Sequence, residues 1–202
     1  MIERLVVASG NAGKLAELQQ LLSGLVTELR PQSFYYVPTA AETGTTFIEN
    51  AIIKARNAAL HTRLPALADD SGLEIPALDG APGVRSARWA GDEADDRANN
   101  ARLVDALLDL GPDERVAHYR CVIALMRHAD DPAPLIAEGR WRGQLIETAQ
   151  GDGGFGYDPH FYLPASGCTA AELPAAEKNR QSHRGQALQA LRRRLEAEWT
   201  AN

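Results

Sequence analysis

The chain opens with an apolar run that ends in a glycine-containing turn, and a leucine-spaced segment follows at once. Residues 5–8 (LVVA) precede the turn SGNAGK at 9–14, and leucines recur at 15, 18, 21, 22 and 25. A buried strand, a turn and an amphipathic helix in this order are typical of an α/β sheet. We therefore predict a strand over 4–8 and a helix over about 13–23 that Gly24 closes.

The turn has the chemistry of a phosphate-binding loop, although it matches neither common motif. A Walker A loop would need a glycine and a hydroxyl side chain where this chain has Ala8 and Leu15, and a dinucleotide loop would need a third glycine. The turn still offers hydrogen-bonding side chains, backbone N–H groups and a lysine, at Ser9, Gly10, Asn11, Ala12, Gly13 and Lys14. An ordinary turn with a solvated lysine fits these residues equally well.

Two further helices and a further short strand are predicted between residues 46 and 111. Thr46 and Glu49 have the spacing of a capping box, which opens a helix that ends near Leu60. Its apolar stripe consists of Ile48, Ile52, Ala55 and Ala59. Residues 65–68 form a short buried strand that runs into the polar stretch DDSG at 69–72, and extended structure resumes at 73–75. A loop over 79–92 then leads to a helix over about 95–110.

The second half of the chain has a different pattern. Residues 116–127 are apolar, residues 129–133 form a turn, and apolar and polar residues alternate over 135–145, which together predict a long antiparallel hairpin. A loop over 151–159, a short strand and a last helix with an apolar stripe at Leu188, Leu191, Leu195 and Trp199 complete the chain. Without repeats or a linker, residues 1–202 are expected to form a single domain.

Composition narrows the functional classes. The content of 45% hydrophobic and 24% charged residues is typical of an ordinary soluble protein. The apolar runs are much shorter than the ~20 residues that a membrane span needs. We see no signal peptide and expect a cytoplasmic protein without membrane partners, in which Cys121 and Cys168 are free thiols. The net charge of −6 argues against nucleic-acid binding but not against a small anionic ligand, because charges beyond ~8 Å are largely screened.

Three acidic residues form a candidate metal site. Glu42 lies in a turn-like segment, and Asp69 and Asp70 follow a buried strand. Mg²⁺ takes one or two carboxylates together with phosphate oxygens, and α/β sheets place ligands at the carboxyl ends of strands. Because adjacent side chains on a strand point to opposite faces, we expect one aspartate to face the site. An ordinary DDSG turn is the alternative, and Glu49 is assigned to helix capping.

A third group of candidates lies near the C-terminus. The segment GGFGYDP at 153–159 places aromatic rings among glycines, which allows a flat ligand to approach the backbone and stack on a ring. Basic side chains follow at Lys178, His183 and Arg184, just ahead of the last helix. Taken singly, each of them fits a solvated or structurally paired side chain.

The order of these segments resembles one family over essentially the whole chain. SGNAGK, the segment around Glu42, FIENAIIKA, ADDSGL, GAPGVRSARW, GGFGYDP, TAAEL, EKN and SHRGQAL are similar to the non-canonical purine nucleoside triphosphate pyrophosphatases, which hydrolyse ITP, dITP and XTP to the monophosphate and pyrophosphate. The resemblance implies an α/β fold with a mixed, elongated central sheet, flanking helices and two lobes around a nucleotide cleft. It also implies dependence on Mg²⁺, a purine nucleoside triphosphate substrate and a homodimer.

The same resemblance implies residue roles. It places the phosphate loop at residues 9–14, the metal carboxylates at Glu42 and Asp70, and the general base at Asp70. The remaining nucleotide contacts are implied for Lys54, Ser71, Phe155, Gly156, Tyr157, Asp158, Lys178, His183 and Arg184. We expect backbone N–H donors near 155–158 to select a 6-oxo purine, since adenine would leave a buried donor unpaired. Alternatives are a pyrophosphatase for modified pyrimidine or methylated nucleotides, and a nucleotide sensor without catalysis.

Overall fold

The computed structural model describes residues 2–9, 15, 18–19 and 22–198. The strands of this part are β1 (Ile2–Val7), β2 (Val26–Pro31), β3 (Ala66–Glu74), β4 (Val116–Met126), β5 (Leu135–Leu145), β6 (Phe161–Leu163) and β7 (Cys168–Thr169). The α-helices are α1 (Phe47–Thr62), α2 (Asp96–Leu107), α3 (Ala175–Gln181) and α4 (His183–Glu198). The helix predicted over 13–23 falls largely outside the described residues, and so does Trp199.

The strands form one mixed sheet. Its order is β2-β1-β3-β4-β5-β6-β7, with β1 parallel to both β2 and β3, and with antiparallel pairs β5–β6 and β6–β7 at the other end. The predicted hairpin is confirmed, because β4 and β5 are neighbours in the sheet and follow each other in the chain. An α/β fold with a mixed central sheet and flanking helices is therefore correct.

Two compact units divide the chain. The first comprises Met1–Asp70, Cys121–Gly139 and Gln186–Asn202, and the second comprises Ser71–Arg120 and Arg140–Gly185. The single nucleotide-binding domain and the cleft expected from the sequence stay predictions. Cys121 and Cys168 are both free, as expected. Within the described residues, no helix has the length and apolar character needed to cross a membrane.

The core of the first unit is aliphatic. Strands β1, β3, β4 and β5 and helix α4 contribute buried side chains, which include Leu5, Val7, Leu67, Ile123, Leu125, Leu188, Leu191 and Leu195. The leucine stripe predicted for the last helix is thus confirmed for its described members. Burial of each such side chain contributes roughly 1.5–3 kcal/mol relative to exposure.

Aromatic side chains dominate the core of the second unit. Phe161 is fully buried, with its ring centroid 4.6 Å from that of Tyr119 and 5.5 Å from that of Trp141. Gly143 on β5 makes this packing possible, since a Cβ there would lie 2.6 Å from two ring carbons of Phe161. Leucines from β3 and α2 close the core, among them Leu73, Leu103 and Leu107.

The predicted capping box of helix α1 is confirmed, but the predicted apolar stripe differs from the face that is buried. The Thr46 hydroxyl accepts from the Glu49 N–H at 3.3 Å, and the Glu49 carboxylate accepts from the Thr46 N–H at 2.9 Å. Ile48, however, is 37% exposed. The buried face consists of Phe47, Asn50, Ala51, Ala55, Ala58 and Ala59. Small residues and an asparagine are buried here because the helix packs closely and carries polar side chains toward Asp70.

The reading of DDSG as a possible turn is wrong. Residues 66–74 form one continuous strand, β3, in which Asp69, Asp70, Ser71 and Gly72 are extended. Polar residues and glycine favour turns in an isolated segment. Here the strand lies inside the sheet between β1 and β4, and this pairing overrides the local preference.

Candidate active site

A cavity in the first unit collects side chains from four separate segments. Its volume is about 380 Å³, and its lining consists of Ala8, Ser9, Gln32, Ser33, Val37, Thr39, Ala40, Glu42, Lys54 and Asp69. Ser9 follows β1, Gln32 and Ser33 follow β2, and Asp69 lies on β3. β1, β2 and β3 run parallel, and Asp69 lies two residues after Leu67, which pairs with the last residue of β1. The cavity therefore lies next to the carboxyl end of β1, and such strand ends are where α/β proteins bind ligands.

Lys54 of helix α1 joins the two predicted metal carboxylates. Its Nζ lies 2.9 Å from Asp70 Oδ1 and 3.3 Å from Glu42 Oε1. Burial by itself would lower the pKa of the Lys54 ammonium. The nearby carboxylates have the larger combined effect, so the pKa is raised. Burial also raises the pKa of Asp70, and the adjacent Lys54 opposes this rise. The ammonium is therefore a cation held between Glu42 and Asp70.

Asn50 is a site residue that the sequence analysis missed. Its side chain is fully buried, its Nδ2 donates to Asp70 Oδ2 at 3.3 Å, and its Oδ1 accepts from the Gly44 N–H at 2.9 Å. Gly44 approaches closely, since a Cβ there would lie 2.7 Å from Asn50 Oδ1. The amide thus connects Asp70 with the loop that carries Glu42. The four-residue spacing to Lys54 was the available signal, because such residues share a helix face.

The two neighbouring aspartates face different surroundings. Asp69 lines the cavity, whereas Asp70 contacts Asn50 and Lys54 on α1. Asp69 therefore joins Ser9 and Glu42 as a side chain that a ligand in the cavity would meet.

The donor set of this site fits a hard divalent cation. Glu42 and Asp70 both present carboxylate oxygens, and the Lys54 ammonium bonds to each of them. Among the described residues, no group of three or more histidine, cysteine or acidic side chains forms a complete metal cage. A pair of carboxylates suits Mg²⁺, which keeps waters and takes further oxygens from a phosphate.

Two parts of the predicted phosphate site are not placed in this cluster. Gly10, Asn11, Ala12, Gly13 and Lys14 lie outside the described residues. Ser71 lies on β3 next to Asp70 and is partly buried, at the first position of the second unit. Its role in substrate binding stays a prediction.

A second cluster, in the second unit, surrounds an exposed aromatic ring. Phe155 is 58% exposed, with Lys178 Nζ 4.8 Å and Arg184 Cζ 5.6 Å from its ring centroid. Two cations beside an aromatic face form a surface suited to a planar ligand with acceptor atoms at its edge. The structure thus brings together Phe155, Lys178 and Arg184, which the sequence predicted as nucleotide contacts.

The backbone donors expected near Phe155 already have partners. The Phe155 N–H donates to Asp158 Oδ2 at 2.8 Å, and the Gly156 N–H donates to Asp96 Oδ2 at 2.7 Å. The Asp158 N–H donates to the Phe155 carbonyl at 3.3 Å. These three N–H groups bond to acceptors of the protein itself, and the expectation that they select a 6-oxo purine stays a prediction. The side chains of Lys178 and Arg184 also carry N–H donors next to the Phe155 ring.

Asp158 and His183 are buried around Tyr119. The Asp158 carboxylate accepts from the Lys178 ammonium, and its side chain is almost fully buried. The His183 ring stacks on that of Tyr119, with centroids 4.8 Å apart and planes 12° apart. Burial, followed by the charge of Asp158, raises the pKa of the Tyr119 hydroxyl well above its usual value. Tyr119 thus supports the cluster, and the sequence analysis had placed it only within a strand.

Tyr157 packs into the core of the second unit, and its predicted contact with the substrate stays a prediction. Its side chain is buried, its hydroxyl donates to the Ser86 carbonyl at 2.7 Å, and its ring lies 6.3 Å from that of Trp89. Burial raises the pKa of this hydroxyl. The GAPGVRSARW segment, which includes Ser86 and Trp89, therefore supports the aromatic loop.

Comparison with known proteins assigns the family. Residues 5–194 match the Ham1 family. The chain belongs to the Ham1 family. The resemblance found in the sequence is thereby confirmed over nearly the full length of the chain.

Individual Ham1 relatives are similar from end to end. The dITP/XTP pyrophosphatase of Thioalkalivibrio sulfidiphilus is 55% identical over 193 residues, which cover 96% of this chain and 98% of that protein. The dITP/XTP pyrophosphatase of Vibrio cholerae is 50% identical over 199 residues, with 98% and 100% covered. A solved HAM1 protein from Coxiella burnetii superimposes with a TM-score of 0.93 at 51% identity, over 97% of this chain and 100% of that one.

Proposed function

We propose that this chain hydrolyses the non-canonical purine nucleotides ITP, dITP and XTP to the nucleoside monophosphate and pyrophosphate. The observation that carries the proposal is full-length similarity, at 50–56% identity, to several proteins named dITP/XTP pyrophosphatase. The first unit contains the charged cluster of Glu42, Lys54 and Asp70, and the second unit, taken by itself, exposes the Phe155 ring beside two cations. Such an enzyme would remove deaminated purines from the nucleotide pool.

In this proposal Glu42 and Asp70 hold a Mg²⁺ ion together with phosphate oxygens of the substrate. When bound, the ion neutralises phosphate charge and orients the reacting group. The chain contributes two carboxylates fixed by Lys54 and by the amide of Asn50. Ser9 and the loop at 10–14 are assigned to the phosphates.

Asp70 is assigned the role of general base. A water oxygen attacks the α-phosphorus, the bond from that phosphorus to the α,β-bridging oxygen breaks, pyrophosphate leaves, and the water proton passes to the Asp70 carboxylate. A carboxyl group whose pKa is raised by burial is better suited to accept a proton near neutral pH. Lysine and backbone N–H donors stabilise the departing charge.

We assign recognition of the purine base of the nucleotide to the second unit. Phe155 offers a face for stacking, which contributes ~1–3 kcal/mol per base, and Lys178 and Arg184 offer donors to a 6-oxo group. Adenine carries an amino donor at that position and would face these cations without an acceptor. This arrangement supports selection of oxo-purines over adenine.

We further propose that the protein is a homodimer in the cytoplasm, as the family resemblance implies. Sedimentation equilibrium distinguishes a monomer of 21.8 kDa from a dimer of twice that mass. A monomeric mass across micromolar concentrations would remove the dimer from the proposal and leave the activity untouched.

A substrate panel tests the activity. ITP, dITP, XTP, ATP, GTP and dTTP are incubated with the protein, with and without Mg²⁺, and the products are separated. Metal-dependent release of pyrophosphate and monophosphate from the first three substrates is the expected result. Orthophosphate and diphosphate products would place the attack at the γ-phosphorus. Preferential cleavage of modified pyrimidine or methylated nucleotides, or tight ITP binding without turnover, would favour the alternatives instead.

A further inference from the structure

Helix α2 holds the loop that carries Phe155. The Gly156 N–H donates to Asp96 Oδ2 at 2.7 Å, and the Gly156 carbonyl accepts from Asn100 Nδ2 at 2.9 Å. Asp96 and Asn100 are four residues apart and share one face of the helix. Both polar backbone groups of Gly156 are therefore bonded to a single helix.

This double contact fixes the backbone on one side of an exposed ring. Gly156 has a φ of +61°, a left-handed conformation that glycine adopts without strain. On the other side, the Phe155 N–H is bonded to the buried carboxylate of Asp158. The backbone around Phe155 is thus anchored by three side chains, while its ring remains 58% exposed.

We propose that Asp96 and Asn100 are positioning residues for base recognition. They act through Gly156, whose fixed backbone holds the Phe155 ring ready to stack on the purine before the substrate arrives. A recognition group that is fixed in advance loses less conformational entropy on binding, which increases affinity. The inference rests on the proposed function, since it assigns the ring of Phe155 to the purine of the nucleotide.

The test compares Asp96→Ala, Asn100→Ala and Asp96→Asn with the wild type in steady-state hydrolysis of ITP. We expect each alanine variant to raise KM ~3- to 10-fold, the range for one hydrogen bond. The kcat should stay within about twofold of the wild-type value. The lost contact contributes equally to binding of the substrate and of the transition state, and the chemistry around Asp70 is unchanged. Asp96→Asn keeps an acceptor oxygen for the Gly156 N–H and should restore most of the affinity.

Two controls separate positioning from a general structural effect. Asp105→Ala removes an exposed acidic side chain from the same helix and should leave KM unchanged. In a Phe155→Ala background, Asn100→Ala should raise KM no further, since the ring that it positions is gone. Thermal unfolding of every variant shows whether it is folded at the assay temperature.

An unchanged KM in both alanine variants would overturn the inference, and so would an equal rise in KM with and without Phe155. A fall in kcat at constant KM would also contradict it. If the wild type hydrolyses none of the nucleotides, the proposed function fails on its own account. The inference is then decided by calorimetric titration of ITP into the same set of variants, where the same pattern must appear in Kd.

Discussion

In the first unit, the half-buried Lys54 and the buried Asn50 connect the carboxylates with the neighbouring loop. Lys54 forms ion pairs with Glu42 and Asp70, and Asn50 fixes the Asp70 carboxylate against the loop at Gly44. Isolated buried carboxylates carry a large desolvation cost, and these partners offset it. The same contacts fix the positions of the two carboxylates.

Asp70→Asn is expected to abolish turnover and retain nucleotide binding. The amide has nearly the same shape but cannot accept the water proton, and loss of a general base lowers rates ~10²- to 10⁴-fold. ITP hydrolysis and ITP titration calorimetry measure the two effects separately. Asp69→Asn is the matched variant, with the same charge removed one residue away, and should retain more activity. Full activity of Asp70→Asn would remove this carboxylate from the catalytic role.

Asn50→Ala should lower kcat about 10- to 100-fold, as observed when the outer partners of metal ligands are removed. The substitution leaves the Gly44 N–H without its acceptor and Asp70 without its amide donor. Ala55→Gly is the control, because it destabilises the same helix by ~1 kcal/mol without touching a polar contact. Steady-state kinetics on both variants, with thermal unfolding alongside, checks the prediction. An equal loss of kcat in the control would assign the effect to helix stability.

At the scale of elements, the turn between β4 and β5 is held by the buried Asp131 carboxylate, which pairs with the half-exposed Arg127. The Asp131 carboxylate accepts from Arg127 Nε and from the Arg127 N–H, both at 2.9 Å, and from the Ala133 N–H at 3.0 Å. Hydrogen bonds from Arg127 hold the pKa of Asp131 well below its usual value, despite burial. The eight residues between the strands are therefore ordered by one side chain.

The stability of this turn should depend on pH. A carboxyl group with a depressed pKa in the folded state stabilises the protein above its unfolded pKa of ~3.9, and this stabilisation is lost as the pH falls through the folded value. Asp131→Asn should reduce the free energy of unfolding by about 1.5–3 kcal/mol at pH 7. The difference from the wild type should shrink below about pH 4. Urea titrations from pH 3 to 8 measure the free energy of unfolding of both proteins and hence the difference between them.

The exposed neighbour Asp130 provides the control for that experiment. Asp130→Asn removes one negative charge from the same turn, but from a solvent-exposed side chain. Its free energy of unfolding should follow that of the wild type at every pH. A difference between Asp131→Asn and the wild type that persists unchanged to pH 3 would show that shape, rather than charge, accounts for the effect.

At the scale of the whole molecule, each compact unit has its own core and its own cluster of candidate site residues. The first unit combines an aliphatic core with the cavity at Glu42, Lys54 and Asp69. The second combines an aromatic core with the ring of Phe155. Rigid cores of this kind are the usual support for side chains that must be placed accurately.

Gly143→Ala tests the aromatic core. The new methyl group would lie 2.6 Å from two carbons of the Phe161 ring and 2.8 Å from the Tyr162 carbonyl oxygen. Overpacking of this kind costs typically 1–3 kcal/mol. We expect a lower midpoint of thermal unfolding, and an additional Phe161→Leu change should recover part of the loss. An unchanged midpoint for Gly143→Ala would show that the strand moves away at little cost.

The elements themselves were largely predictable from sequence. The capping box at Thr46 and Glu49, the hairpin of β4 and β5 and the leucine stripe of α4 follow from residue patterns a few positions long. The motif order was sufficient to recognise the family and hence the mixed sheet. Local signals of this kind are reliable because capping and side-chain periodicity depend only on near neighbours in the chain.

Tertiary structure alone decided how these elements meet. The extended conformation of DDSG depends on its place between β1 and β4, and the role of Asn50 depends on the approach of α1 to β3. The bonds from Asp96 and Asn100 to Gly156 join residues about 60 positions apart, which no short pattern records. Sequence by itself determined which residues are apolar, which cap helices and which family the chain resembles. Burial and long-range pairing determined which polar groups are already satisfied and which remain for a ligand, because both depend on neighbours that only the folded chain supplies.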